Sequence, residues 1–165
     1  MKDGAAGIVF TQENSHVLLI KRRDIPIWVL PGGGIEVGED PAETVVREIY
    51  EESGLVVKVT RKSGEYYPLN RLASFTHVYV CQIVEGQIHQ GEESLQVAFF
   101  PLSKLPSPCL QPHLDWIQDA LENYTGVLNK PITQITYTKL LLFFLSHPLL
   151  VMRAICARMG LPINS

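Results

Sequence analysis

Three glutamates stand close together in Arg47-Glu48-Ile49-Tyr50-Glu51-Glu52-Ser53-Gly54-Leu55, and their spacing is the first sign of chemistry in the chain. Glu48 lies three residues before Glu51 and four before Glu52, so on a helix the carboxylates crowd one side of the last two turns. Like charges at those steps cost helix stability, and acids in a last turn oppose the helix dipole. A divalent cation with oxygen ligands offsets both, since Mg²⁺ is held by a few carboxylates and keeps water and phosphate oxygens in its other positions. A solvated acidic face is the ordinary alternative. What speaks against it lies upstream: Gly32-Gly33-Gly34 is a bare stretch of backbone that a ligand or metal can approach closely, and it leads to Glu39 just ahead of the acids.

The element that must carry these acids is a short helix from Pro41 to Ser53. Asp40 is its N-cap, Pro41 its first helical residue, Glu43 the acid three residues after the cap, and Gly54 its terminator. Ala42, Val45, Val46, Ile49 and Ser53 recur at three- and four-residue steps and form a small or apolar stripe that faces a core. The acids occupy another face.

Taken together, Gly33, Glu39, Arg47-Glu48-Ile49, Glu51-Glu52 and Gly54-Leu55 resemble the Nudix box at every specified position. The resemblance implies an α/β fold, the Nudix-type α/β/α sandwich with a mixed β-sheet, here with an extra C-terminal helical segment. It implies a Nudix domain over 1–125 and leaves 126–165 as an apolar helical extension that packs on the domain or on a dimer partner. It also implies a pyrophosphohydrolase that cleaves the phosphoanhydride of a nucleoside diphosphate linked to another moiety: a nucleoside triphosphate, a nucleotide sugar, ADP-ribose or a dinucleoside polyphosphate.

By the same resemblance Glu51 and Glu52 ligate Mg²⁺, for which Mn²⁺ can substitute, with the Gly32 carbonyl as a further oxygen. Glu48 is the general base or another ligand, and the choice stays open. Arg47 bridges Glu39 and orients Glu48; Gly33, Gly38, Glu39 and Gly54 are structural in the motif. Glu92 or Glu93 supplies an additional acid. Arg22 or Arg23 meets substrate phosphates, because a guanidinium fork matches phosphate oxygens. Gly33 and Gly34 lie against the substrate, and Tyr79, with Tyr66, Tyr67 and Phe75, is a candidate platform for a nucleobase. Asn70 to Ala73 falls where a proline marks ADP-ribose hydrolases and a tyrosine marks dinucleoside polyphosphate hydrolases, and it carries neither.

The rest of the chain frames this site. Its 165 residues, 46% hydrophobic and 19% charged, describe a single globular domain with a real core. A net charge of −3 gives no general attraction to nucleic acid, so the partner expected is a small phosphorylated ligand rather than a long duplex. Cys81, Cys109 and Cys156 are odd in number and widely spaced, which suits a reducing cytoplasm, and no signal peptide is read at Met1 to Gly4.

Alternating and β-branched runs predict a hairpin from Ala5–Thr11 and His16–Lys21, and strands over Leu55–Thr60, Ser74–Val84 and Leu95–Phe100. On Ser74–Val84, Phe75, His77, Tyr79 and Cys81 share one face and Val78, Val80 and Val84 the other, with one face buried. A helix near His113–Asn123 puts Leu114, Ile117 and Leu121 on one side, to cover the sheet opposite the box helix.

Between Lys139 and Arg153 the apolar zone is about 13 residues, short of the roughly 20 that span a bilayer, and Pro148 divides it into two short helices. Two further readings from other classes are a nucleotide-binding regulator that no longer turns over, which the intact Glu48, Glu51 and Glu52 oppose, and a membrane-peripheral or assembly protein whose tail is the functional part.

Overall fold

Helix α1 runs Pro41–Ser53, and each end is closed by the residue the sequence supplies for it. The Asp40 carboxylate accepts from the Ala42 N–H at 2.8 Å. Gly54, in a left-handed conformation (φ 75°), donates its N–H to the Tyr50 carbonyl. The computed structural model describes residues 2–122 and 125–146; Cys156 and the second helix expected after Pro148 lie outside the described residues.

The strands are β1 (Gly4–Val9), β2 (His16–Arg22), β3 (Trp28–Val29), β4 (Gly32–Gly34), β5 (Leu55–Pro68), β6 (Thr76–Gly86), β7 (Ser94–Pro101) and β8 (Leu128–Ile132). Helices α2 (Gln111–Leu121) and α3 (Tyr137–Ser146) complete the described chain. A mixed five-stranded sheet has the order β4-β1-β6-β5-β8, and an antiparallel three-stranded sheet the order β3-β2-β7. In the larger sheet β1 is parallel to β6 and β5 to β8.

Two apolar cores lie on opposite sides of the strands. Val45 and Ile49 of α1, both 0% exposed, pack with Val9, Leu18, Tyr79 and Cys81. Trp116, Ile117 and Ala120 of α2 pack with Ile8, Leu19, Leu30 and Val78 on the other side. The result is an α/β/α sandwich. Burying a side chain such as Ile49 contributes about 1.5–3 kcal/mol, so the α1 stripe holds the acid-bearing helix firmly against the sheet.

Several expectations are corrected. β1 and β2 do not form a hairpin: they touch through the isolated Phe10–Val17 bridge and then part into different sheets. Both strands are buried along most of their length. A strand covered on both faces reads as a plain apolar run whichever neighbour it pairs with, so the partner was not legible. The first half of β6 is likewise covered on both faces, Tyr79 and Cys81 toward α1 and Val78 and Val80 toward α2, whereas Val84 is exposed.

Helix α2 starts earlier, with Pro112 in its first turn, and buries Pro112, Trp116, Ile117, Asp119 and Ala120 while Leu121 stays 37% exposed. Within the stretch read as a helical extension, Leu128–Ile132 is a strand that extends the sheet beside β5.

Candidate active site

β4 and the C-terminal half of α1 form two walls of a cavity of about 600 Å³. Gly32, Gly33 and Gly34 give it a backbone wall, and Glu48, Glu51 and Glu52 face them from the helix. Arg22, Arg47, Glu92 and Glu93 complete the lining. Gly33 sits against the Glu48 carboxylate, where a side chain would collide.

The three helix acids are not equivalent. Glu51 is exposed, whereas Glu52 is 6% exposed and its Oε2 accepts from the Gly32 N–H at 2.9 Å. Burial pushes the Glu52 carboxyl up to about 8, the Gly32 N–H opposes this, and the neighbouring Glu48 and Glu93 charges add to it. Burial also raises Glu48, against the pull of Arg47.

Arg47 is the hub. Its Nε and Nη2 grip both oxygens of Glu39 at 2.8 and 3.0 Å, and its Nη1 reaches Glu48 at 2.9 Å and Glu51 at 3.2 Å. The Arg47 guanidinium, helped by the Glu36 N–H, holds Glu39 down at about 2. Glu39 therefore lies behind the cavity as the anchor of Arg47, and Gly38, at φ 85°, makes the turn before it.

Other expected site residues fall elsewhere. Arg22 lines the cavity but is held by Asp24 through two hydrogen bonds of 2.8 and 2.7 Å. Arg23 is not in the lining: its Nε donates to the Glu92 carbonyl at 2.7 Å and its Nη2 to the Ser94 carbonyl at 3.1 Å. Tyr79 is 8% exposed in the core on the α1 side, with Lys62 over its ring.

Three contributors escaped the sequence reading. Asp24 could have been found, since it follows Arg22 at a spacing that lets the two side chains meet. Ser94, whose hydroxyl donates to the Glu52 carbonyl at 3.1 Å, and His113, whose Nδ1 accepts from the Leu30 N–H at 2.9 Å, come from far along the chain and carry no local signal.

Among the described residues, no three His, Cys, Asp or Glu side chains converge closely enough to hold a metal ion as they stand. The reason is visible in the hydrogen bonds: Glu48 and Glu51 are turned to Arg47, and Glu52 to the Gly32 N–H. The donor set nevertheless fits a hard divalent cation. Five carboxylates and two guanidiniums line one cavity, so negative charge is in excess there, and one of the acids, Glu52, is buried.

Residues 1–120 match the NUDIX domain family, and the chain belongs to it.

Over 103 residues it is 36% identical to the ADP-ribose pyrophosphatase of Methanocaldococcus jannaschii, covering 58% of this chain and 60% of that one. Over 102 residues it is 33% identical to a putative 8-oxo-dGTP diphosphatase of Bacillus subtilis, covering 61% and 68%. Over 98 residues it is 35% identical to the human diphosphoinositol polyphosphate phosphohydrolase 3-beta, covering 58% and 59%. The match thus spans about three-fifths of the length of two of these relatives.

The fold is similar to that of an ADP-ribose pyrophosphatase from Streptococcus suis, with a TM-score of 0.64 at 23% identity over 79% of this chain and 98% of that one. Hydrolases of the family generally need a divalent metal. No helix of the described residues is long and apolar enough to cross a membrane.

Proposed function

We propose that the chain is a Mg²⁺-dependent pyrophosphohydrolase, with Mn²⁺ able to substitute, acting on a small organic diphosphate such as a nucleoside diphosphate linked to another moiety. The observation that carries this reading is the buried Glu52 beside Glu48 in a cavity walled by glycine backbone. Three relatives carry names that refer to ADP-ribose, 8-oxo-dGTP and diphosphoinositol polyphosphate, whose shared feature is a diphosphate linkage. The glycine wall and Arg22 suit that linkage, the first by offering unobstructed backbone and the second by offering a guanidinium.

Glu51 and Glu52 would hold the metal, with Glu92 and Glu93 as additional acids and Gly32 beside them. Bound there, a divalent ion neutralises phosphate charge and lowers the pKa of a coordinated water. The chain's own groups do the rest. Arg47, fixed by Glu39, keeps Glu48 directed into the cavity. Glu48, which burial raises against the pull of Arg47, is the carboxylate placed to take a proton from the attacking water. The glycine wall leaves room for the leaving phosphate.

The test is phosphate release from ADP-ribose, 8-oxo-dGTP and a diphosphoinositol polyphosphate, with and without Mg²⁺, for wild type, Glu48→Gln and Glu52→Gln. Both variants should keep the wild-type circular dichroism spectrum and lose at least 100-fold in turnover. Undiminished hydrolysis by either would overturn the role given to that residue.

A further inference from the structure

The acids Glu92 and Glu93 arrive in the cavity from the loop between β6 and β7, remote in sequence from α1. The structure places a dedicated fastening under that loop. Arg23, just past the end of β2, donates its backbone N–H to the Glu93 carbonyl at 2.9 Å. Its side chain donates to the carbonyls on either side, Glu92 and Ser94. One residue thus satisfies three consecutive carbonyls.

From the other direction the loop caps α1. The Gly91 N–H donates to the Glu52 carbonyl at 3.3 Å and the Ser94 hydroxyl to the same oxygen at 3.1 Å, filling acceptors that a helix C-terminus leaves open. A Cβ on Gly91 would strike the Glu51 carbonyl, so the loop approaches α1 as closely as backbone allows.

We propose that Arg23 is a positioning residue rather than a phosphate ligand: its guanidinium fixes the Glu92–Ser94 segment over the C-terminal end of α1 and thereby delivers the Glu93 carboxylate to the cavity. The planar fork suits two carbonyls on one segment, a task that a single ammonium cannot perform. Glu93 is the loop acid whose charge is felt at Glu48, Glu52 and Arg22. The inference deepens the hydrolase reading and rests on it for its kinetic consequence, but the fastening itself is observable without turnover.

The experiment compares wild type, Arg23→Ala, Arg23→Lys, Glu93→Gln and the double variant Arg23→Ala/Glu93→Gln. Removing a group that orients such an acid lowers activity about 10–100-fold. The expected result is that loss in kcat for both Arg23 variants, KM within twofold of wild type, and faster hydrogen exchange at the amides of residues 91–94. The double variant should be no slower than Glu93→Gln alone, because Arg23 acts through Glu93.

A rise in KM as the main effect, full activity in Arg23→Lys, or multiplied losses in the double variant would overturn the positioning role. If wild type hydrolyses none of the diphosphates, the hydrolase reading falls, and unchanged exchange at residues 91–94 in Arg23→Ala would overturn the fastening separately.

Discussion

His113 offers a measurement of how tightly α2 is coupled to the cavity wall. Its Nδ1 accepts the Leu30 N–H at 2.9 Å, two residues before Gly32, and its ring stacks on Trp116 with centroids 4.5 Å apart. A proton on Nδ1 would set donor against donor. Burial, with a smaller push from Arg22, brings the imidazole down to about 3 from its ordinary 6.5.

A base whose folded pKa is depressed leaves stability untouched above 6.5. Stability is then lost as pH falls toward 3, because the unfolded chain binds the proton that the folded one refuses. For these two values the loss is about 2 kcal/mol at pH 5 and approaches about 5 kcal/mol below pH 3. A loss of about 2 kcal/mol corresponds to roughly 4–8 °C in Tm for a chain of this size.

His113→Asn keeps an acceptor near the Nδ1 position but has no proton to gain. The assay is thermal melting of both proteins from pH 7.5 to 5. The variant starts lower, having lost the stack on Trp116, but the gap between the two should shrink by about 2 kcal/mol. Parallel curves would show that His113 does not titrate against the Leu30 amide.

Two further outcomes follow from the geometry of α1. Arg47→Lys keeps the charge but cannot grip both oxygens of Glu39 while reaching Glu48 and Glu51, so kcat should fall about 10–100-fold with KM little changed; steady-state kinetics decide, and a change in KM alone would refute it. Ile49→Ala, at a side chain with no exposure, should cost about 2–5 kcal/mol in urea unfolding, and Ile49→Val about 0.5–1.5 kcal/mol; equal losses would mean that the α1 stripe is not close-packed.

Local signals carried the helix and the acids. Asp40, Pro41 and Gly54 act within a turn of themselves, so α1 was legible to the residue. Glu39 and Arg47 were legible as a pair through the box resemblance. What could not be read was pairing at a distance. β1 and β2 are separated by a short polar turn, which favours a hairpin, yet each is covered on both faces and chooses a different sheet. The strand nature of Leu128–Ile132 was hidden by Pro131, which an edge strand tolerates because one side of it needs no ladder partner. Tyr79 was a candidate ligand platform on a strand, where an aromatic is more often core; its burial beside α1 decides for core.

The sequence also could not say which of three crowded acids is buried. Spacing treats Glu48, Glu51 and Glu52 alike, but the helix places them at different depths, with Glu51 toward solvent and Glu52 against the Gly32 amide. Depth divides the labour. Glu51 meets Arg47 from the solvent side, while burial disfavours the charged form of Glu52. A divalent ion competes with the proton that burial favours on Glu52, so ion affinity should climb with pH as that carboxyl ionises. A helix that bore three equally solvated acids would show no such climb, and it would have no reason to spend its last turn against its own dipole.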